Sequence, residues 1–321
     1  MEIIRYTPIY FNEWNIFLKK AKNFTFLFDR NFCEYHADRF TDHSVLLIEK
    51  EKIVAVFIAN QSLTTIYSHA GLSYGGLIVL PVTSLQTVLC CFYHLTHYYH
   101  QSGITEILYK QTPYFYHQQP CFEDEYALFL LNANVVRRDT NFVIDLQKPF
   151  EISKRRKRSI QKAQKQNIQV VEQKDFTDFW QDVLSPTLQT KFGVNPVHSL
   201  QEINSLQTAF PQNIRQFNAL FNGEVVAGTT IFENSKVAHA QYIAANMVGK
   251  SCGAIDLVFE TLITQTYKDF HYFSFGITNE QGGRFLNKGL TEWKESFGAK
   301  VWIHSFYSIA PKNYYLLESF R

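Results

Sequence analysis

Val237-Ala238-His239-Ala240-Gln241-Tyr242-Ile243-Ala244-Ala245 runs into Asn246-Met247-Val248-Gly249-Lys250-Ser251-Cys252-Gly253-Ala254, and this junction decides the fold. The first nine residues read as a strand with alternating faces. Val237, His239, Gln241 and Ile243 share one side; Ala238, Ala240, Tyr242 and Ala244 share the other. The second set is small and apolar apart from Tyr242, as expected beneath a helix. Residues 246–253 read as a loop of small residues, and 254–267 as the helix that follows. Upstream, strands at 214–221 and 225–232 flank Asn222-Gly223-Glu224, a hairpin signal because Asn and Gly accept positive φ. Downstream, 272–275 is the next strand.

The first half repeats this outline. Strands at 44–49 and 53–60 are joined by Lys50-Glu51-Lys52, and a glycine-spaced strand is expected over 68–80. A helix over 83–101 and a strand over 104–110 complete it. Two units of strand, strand, strand, helix, strand predict a duplicated α/β chain of the α+β type, with largely antiparallel mixed sheets. Only one stretch looks like a joint. A strand at 142–146 is followed by Gln147-Lys148-Pro149-Phe150. Ser153 then caps a helix carrying Ile160, Ala163 and Ile168 on one side. The expected domains are 1–150 and 151–321.

Length and composition agree with two packed domains. The chain has 321 residues, 46% hydrophobic and 19% charged, which excludes wholesale disorder. Its 29 Phe and 18 Tyr favour sheet-rich packing. A net charge of +2 is too balanced for a dedicated nucleic-acid binder. Mean hydropathy is −0.18 and no run of about eighteen apolar residues occurs, so no membrane span is expected. The first residues lack a signal-peptide core. Five cysteines, odd in number and without CxxC spacing, read as reduced thiols of a cytoplasmic protein with no metal site.

The 246–254 loop has two readings. Small residues let backbone N–H groups approach an anion at a helix N-terminus; alternatively, it is an ordinary strand-to-helix turn. Gly249-Lys250-Ser251 imitates the end of a P-loop, but Ala244 stands where the first glycine belongs, and no strand ending in Asp follows. The equivalent first-half stretch, Val79-Leu80-Pro81-Val82-Thr83-Ser84, has no glycine and loses an N–H at Pro81. The run Lys154-Arg155-Arg156-Lys157-Arg158 could meet phosphates or form a solvated helix face.

At several points the chain resembles the GNAT acyltransferases in their Fem-like, double-domain form. The likeness is carried by Pro196-Val197-His198-Ser199-Leu200, His239-Ala240-Gln241-Tyr242-Ile243, Gly249-Lys250-Ser251-Cys252-Gly253-Ala254, Phe275-Gly276-Ile277-Thr278-Asn279-Glu280, Asn287-Lys288-Gly289-Leu290 and Lys294-Glu295-Ser296-Phe297-Gly298. In the first half, His69-Ala70-Gly71-Leu72-Ser73-Tyr74-Gly75-Gly76 and Tyr116-His117-Gln118-Gln119-Pro120 add to it. The resemblance implies two tandem GNAT-like domains. The second holds acyl-CoA, and the first binds the acceptor with a degenerate cofactor loop. Within the family, the chain is similar to bacterial nucleotide-sugar N-acyltransferases of surface-polysaccharide synthesis. Those act on dTDP-linked 3-amino-3,6-dideoxyhexoses, with acetyl or 3-hydroxybutanoyl donors. The family's pyrophosphate signature is Gln or Arg, two residues, Gly, one residue, then Gly or Ala; Lys250 through Ile255 fits it only partly.

Such a transfer needs a proton acceptor for the amine, an N–H donor for the oxyanion, and two substrates held together. His239 is a candidate base because an imidazole titrates near neutrality, and Glu280 is the second. The resemblance places backbone N–H groups of Tyr242 to Ala244, with Ile243 among them, at the oxyanion and cofactor. It adds Gly249, Lys250, Ser251, Gly253, Ala254, Asn279 and Asn287 as coenzyme A contacts. Each has a plainer reading: Glu280 as a helix N-terminal carboxylate, and Asn287 as the cap of the helix at 290–297. His69, Tyr74, Tyr116, His117, His198 and Gln241 are candidate sugar or base contacts, although any single aromatic is more often core. Gly71, Gly75 and Gly76 point to close approach of a ligand or another backbone. The alternatives are a Fem-type transferase using aminoacyl-tRNA on a peptidoglycan precursor, and a binding protein with a degenerate GNAT fold.

Overall fold

A computed structural model describes residues 1–321. The chain forms two compact units. The first comprises Met1–Asp139, Gly282–Arg284 and Ile303–Arg321; the second comprises Thr140–Gln281 and Phe285–Trp302. The change-over therefore falls at 139–140 rather than near 150. Residues 303–321, expected in the second domain, belong to the first unit. No helix is long and apolar enough to cross a membrane.

In the first unit, Glu2–Arg5, Val45–Glu49, Lys52–Ile58 and Gly76–Val79 form an antiparallel sheet in that order. Helix Leu85–Gln101 packs its Val88, Leu89, Phe92, Leu95 and Tyr99 into a core with Val45, Leu47, Ala55 and Phe57. That i, i+3, i+4 spacing is the pattern of a one-sided helix. Ser84 caps it through Thr87 N at 3.1 Å. The expected strand over 68–80 does not form. Thr65–Tyr67 and Gly76–Val79 are separate strands in different sheets, and 68–75 is a loop. The glycines explain the break. A Cβ on Gly75 would lie 2.1 Å from the Ser68 carbonyl oxygen, and one on Gly71 would lie 2.3 Å from His36 Nε2. Close approach of another backbone holds at Gly75; at Gly71 and Gly76 the approaching groups are the side chains of His36 and Tyr109.

In the second unit, Gln169–Gln173, Ile214–Phe221, Glu224–Asn234 and Val237–Ala245 pair antiparallel in succession. Asn222 and Gly223, at φ 54° and 88°, make the expected tight turn. Val237–Ala245 pairs in parallel with Tyr272–Ile277, which pairs antiparallel with residues 141–145. Helices Lys154–Lys165 and Ala254–Thr261 pack on a core containing Phe217, Ala238, Ala240, Leu257, Phe273 and Phe297. The latter helix widens into a π-helical turn at Leu262–Thr266.

The expected alternation along Val237–Ala245 holds only to Ala240. Opposite residues run Ile231↔Ala240 and then Thr230↔Tyr242, so Gln241 is a bulge with no partner across the ladder. The bulge reverses the faces. Ile243 and Ala245 join Ala238 and Ala240 against the core, while Tyr242 turns to Trp180 and His198.

Candidate active site

The ladder between Val237–Ala245 and Tyr272–Ile277 ends at His239↔Ser274. Beyond that pair the ladder between the two parallel strands stops. Each carries an irregularity just there: the Gln241 bulge, and a register shift between Ser274 and Ile277. The result is a notch in the sheet of the second unit. His239 is at its closed end, and Gly276 (φ 72°) is so close that a Cβ on it would sit 3.4 Å from His239 Cε1.

His239 Nδ1 and Ser274 Oγ are 3.0 Å apart, and Ser274 Oγ accepts from Gly276 N at 3.2 Å. Burial, reinforced by the Lys294 charge, pulls the His239 pKa down to about 4. The ring is therefore neutral at pH 7 and a weak proton acceptor. Lys294, on helix Lys288–Glu295, is buried and pairs with no carboxylate. Its Nζ donates to the carbonyls of Gly276 at 3.0 Å and Ile277 at 2.7 Å. Burial alone lowers its pKa to about 7. A buried cation held only by backbone dipoles beside a neutral imidazole is an arrangement suited to developing negative charge or to proton exchange near neutrality. Lys294 was not among the residues singled out from the sequence. Its signal was present, because Leu290, Trp293, Lys294 and Phe297 share one helical face, and lysine occupies a position where an apolar residue belongs.

His198 and Tyr242 form a second buried pair in this unit. The Tyr242 hydroxyl accepts from His198 N at 3.1 Å and lies 2.6 Å from His198 Nδ1; Trp180 Nε1 donates to His198 O. Thr229 Oγ1 donates to the Tyr242 carbonyl at 2.8 Å. The pair thus anchors the strand just past the bulge. Asn279 is buried, and its Oδ1 accepts from Thr140 N at 2.8 Å. Glu280 is exposed on the hairpin of Asn279–Glu280 and Phe285–Leu286, where Asn287 Nδ2 donates to it at 3.0 Å. Asn287 Oδ1 caps helix Lys288–Glu295 through Leu290 N at 3.0 Å.

The glycine loop is built differently from the expectation. Asn246 caps a short helix, Met247–Cys252, by accepting from Gly249 N at 2.9 Å, and Lys250 N donates to the Asn246 carbonyl. Gly253 does not enter the first turn of the next helix. It sits between the two helices at φ 81°. A Cβ on Gly249 would lie 2.2 Å from the Val226 carbonyl oxygen, and one on Gly253 2.6 Å from Ser159 Oγ. Both glycines are required by packing, and the Gly249 and Lys250 amides are used internally, so these two amides are not free for a diphosphate. Lys162 donates to the Ser251 carbonyl at 2.7 Å, and Ala254 is buried at the start of the second helix. Gly253→Ala is expected to destabilise the protein by about 1–3 kcal/mol, since it forces a left-handed backbone on alanine and a clash with Ser159. Chemical denaturation measures it.

The first-unit candidates divide. Tyr74 and Tyr116 are buried against one another, ring centroids 4.6 Å apart, as core. His69 is buried at φ 63°, with its ring stacked on His36 and its pKa pulled down to about 3 by burial, then by His36 and Lys110. Lys110 Nζ clamps this loop by donating to the carbonyls of His69, Ala70 and Leu72 at 2.8–3.1 Å. His117 lines a small cavity. No group of three or more His, Cys, Asp or Glu side chains is arranged to hold a metal ion.

The sequence matches no protein-family profile, and no curated protein is significantly similar to it. Solved structures are similar in fold. FemX superposes with a TM-score of 0.68 at 11% identity, over 99% of both chains. The C-terminal domain (DUF2156) of a putative lysylphosphatidylglycerol synthetase from Agrobacterium fabrum gives 0.59 at 13% identity, over 86% of this chain and 87% of that one. A tandem GNAT protein from the clavulanic acid biosynthesis pathway gives 0.52 at 9% identity, over 97% and 98%. Identity this low speaks to fold alone. The chain therefore has the fold of the Fem-like proteins, two tandem GNAT-like domains with largely antiparallel mixed sheets.

Proposed function

We propose that the protein is an N-acyltransferase that moves an acyl group from an acyl-CoA to the amino group of a nucleotide-linked sugar. The observation that carries this reading is the notch at His239 and Ser274, with the Lys294 ammonium beside it. Parallel strands whose ladder has stopped leave backbone hydrogen-bonding groups for an extended, amide-bearing donor arm. In the reaction, the neutral amine attacks the thioester carbonyl carbon, and the C–S bond then breaks. The thiolate leaves with the electron pair, and the proton lost by the amine ends on the sulfur. Lys294, titrating near neutrality, suits the charge and proton exchange of that sequence better than His239. We assign His239 to orienting the donor through Ser274, and the unpaired Gln241 backbone to the oxyanion. Lys250, exposed and with its pKa lowered by slight burial and by nearby Lys191, offers two neighbouring side-chain cations for the donor's phosphates.

The acceptor we propose is a dTDP-linked 3-amino-3,6-dideoxyhexose, following the resemblance of the 239–243 and 249–254 segments, with acetyl or 3-hydroxybutanoyl as the acyl group. Thiol release from acetyl-CoA and 3-hydroxybutanoyl-CoA, with and without the sugar nucleotide, tests it. Sugar-dependent release with an acylated product by mass is the expected result; no release with any pair overturns the assignment. A second reading, aminoacyl-tRNA as donor, is favoured by two observations: the packed glycine loop, and the exposed cations Lys154, Arg155, Lys157 and Arg158. Aminoacyl transfer without thioester use would select it.

A further inference from the structure

The first unit encloses a cavity of about 50 Å³ lined by two buried histidines, His117 and His304, each with one ring nitrogen that has no partner. His304 is 5% exposed. Its ring meets the Gln111 main chain, which favours a proton on that side, and its Nε2 is buried and without a partner. On the same cavity, His117 Nε2 lies 3.1 Å from the Thr112 carbonyl oxygen. A carbonyl only accepts, so Nε2 carries the proton, and Nδ1 is likewise bare and unpartnered. Burial keeps both imidazoles neutral, with pKa values lowered to about 4. Two of the donors nearby are already used. Gln111 Nε2 donates to Glu125 Oε1 at 3.1 Å and faces Asp124, and Thr112 Oγ1 donates to the Gly75 carbonyl at 2.7 Å.

Two buried acceptors without donors are costly to leave unmet. What completes them must bring N–H or O–H groups. A phosphate or carboxylate would add acceptors to acceptors and face Glu125. The volume admits only one or two such groups, since a water in the liquid occupies about 30 Å³. The body of the ligand must stay at the opening. There Tyr114 and Phe122, 38% and 45% exposed, stack with centroids 5.0 Å apart and offer an aromatic surface. Rings of this kind receive the apolar face of a saccharide.

We propose that this cavity recognises a sugar ring, whose hydroxyl or amino groups donate to His304 Nε2 and His117 Nδ1 while its apolar face rests on Tyr114 and Phe122. The inference rests on the acceptor half of the proposed function, and it is tested by binding, without any acyl donor. Calorimetry on the full chain would compare dTDP, a dTDP-linked 3-amino-3,6-dideoxyhexose and its 3-hydroxy counterpart. The sugar nucleotides are expected to bind at least about tenfold tighter than dTDP. His304→Phe and His117→Phe should each erase about that factor while leaving dTDP binding unchanged; both should also lower the melting temperature, because each takes a donor from a buried main-chain group. His304→Gln, which retains an acceptor, should restore part of it. A readout free of substitutions is the ¹⁵N signal of the two bare imidazole nitrogens, which should move toward the hydrogen-bonded range on saturation with sugar. If sugars bind no better than dTDP, or the nitrogens do not respond, the cavity holds water alone and the inference falls. Absent acyl transfer with intact sugar binding would instead overturn only the reaction. A tighter amino than hydroxyl ligand would identify the ammonium as the donor; equal binding would identify the hydroxyls.

Discussion

Lys294→Met is expected to lower acyl transfer by about 10²–10³-fold in kcat with little change in KM, the scale seen when one preorganised donor is removed from a developing oxyanion. Methionine keeps the length and volume of the side chain, so helix Lys288–Glu295 should stay in place; what disappears is the charge beside His239. The carbonyls of Gly276 and Ile277 lose their donor, a cost of about 1–3 kcal/mol. Offsetting this is the removal of a buried cation that no carboxylate compensates. The sign of the pH effect follows from the lowered pKa. The unfolded chain keeps this proton into the ordinary lysine range, whereas the folded chain releases it above about 7. Between those values the unfolded state binds more protons, so Lys294 contributes stability that grows as pH rises from about 7 toward 10, while the buried thiols of Cys33, Cys91 and Cys121, raised by burial, act in the opposite direction near the top of that range. Lys110, lowered to about 8 by burial, contributes in the same direction as Lys294. Urea unfolding at pH 7 and pH 9.5 should show a less favourable change with pH in Lys294→Met than in the wild type. An unchanged kcat would remove Lys294 from the reaction, and an unchanged pH slope would mean that its charge is not buried as described.

The strands and the principal helices were legible because their periodicity is strong: Leu85–Gln101 places apolar residues at its core positions apart from Thr96, and Asn222-Gly223 marks its turn without ambiguity. Three features were not legible, each for a physical reason. The strand expected over 68–80 reads as apolar and glycine-spaced, but the pattern cannot distinguish an extended glycine from one that lets Ser68 and His36 approach. The Gln241 bulge changes no residue type, so strict alternation put Tyr242 on the wrong face. Gly249 and Gly253 carry the composition of an anion loop while meeting the steric demands of Val226 and Ser159. His239 reads from the sequence as a candidate base, but its basicity depends on burial and on a lysine fifty-five residues away, which no local motif reports. The strip of five cations at 154–158 divides in the same way, since Arg156 alone turns inward.

That inward turn makes Asp256→Ala the substitution with the largest expected cost in stability, about 3–5 kcal/mol, the range for breaking one side of a buried ion pair. Asp256 lies in the first turn of helix Ala254–Thr261 and is 3% exposed. Its Oδ2 takes Arg156 Nη1 at 2.5 Å, and its Oδ1 takes Trp293 Nε1 at 2.9 Å. One carboxylate thus ties three helices of the second unit together: Lys154–Lys165, Ala254–Thr261 and Lys288–Glu295. Arg156 Nε is further held by Ser296 Oγ at 2.9 Å, and its guanidinium lies 5.3 Å from the centre of the Phe297 ring. Alanine at 256 would leave that guanidinium buried without its counter-charge and the indole N–H without an acceptor. Because Lys294 lies on the helix that Trp293 anchors, activity should fall with stability in this variant. The double substitution Arg156→Met with Asp256→Leu removes both charges and should recover much of the loss, since apolar replacement of a buried pair is often near neutral. Arg155→Ala and Lys157→Ala, exposed on the same helix, should stay within about 0.5 kcal/mol of wild type. If Asp256→Ala proved equally mild in urea unfolding, Arg156 would be free to leave the pair, and the cationic strip would have to be treated as one surface of five charges rather than as four around a structural arginine.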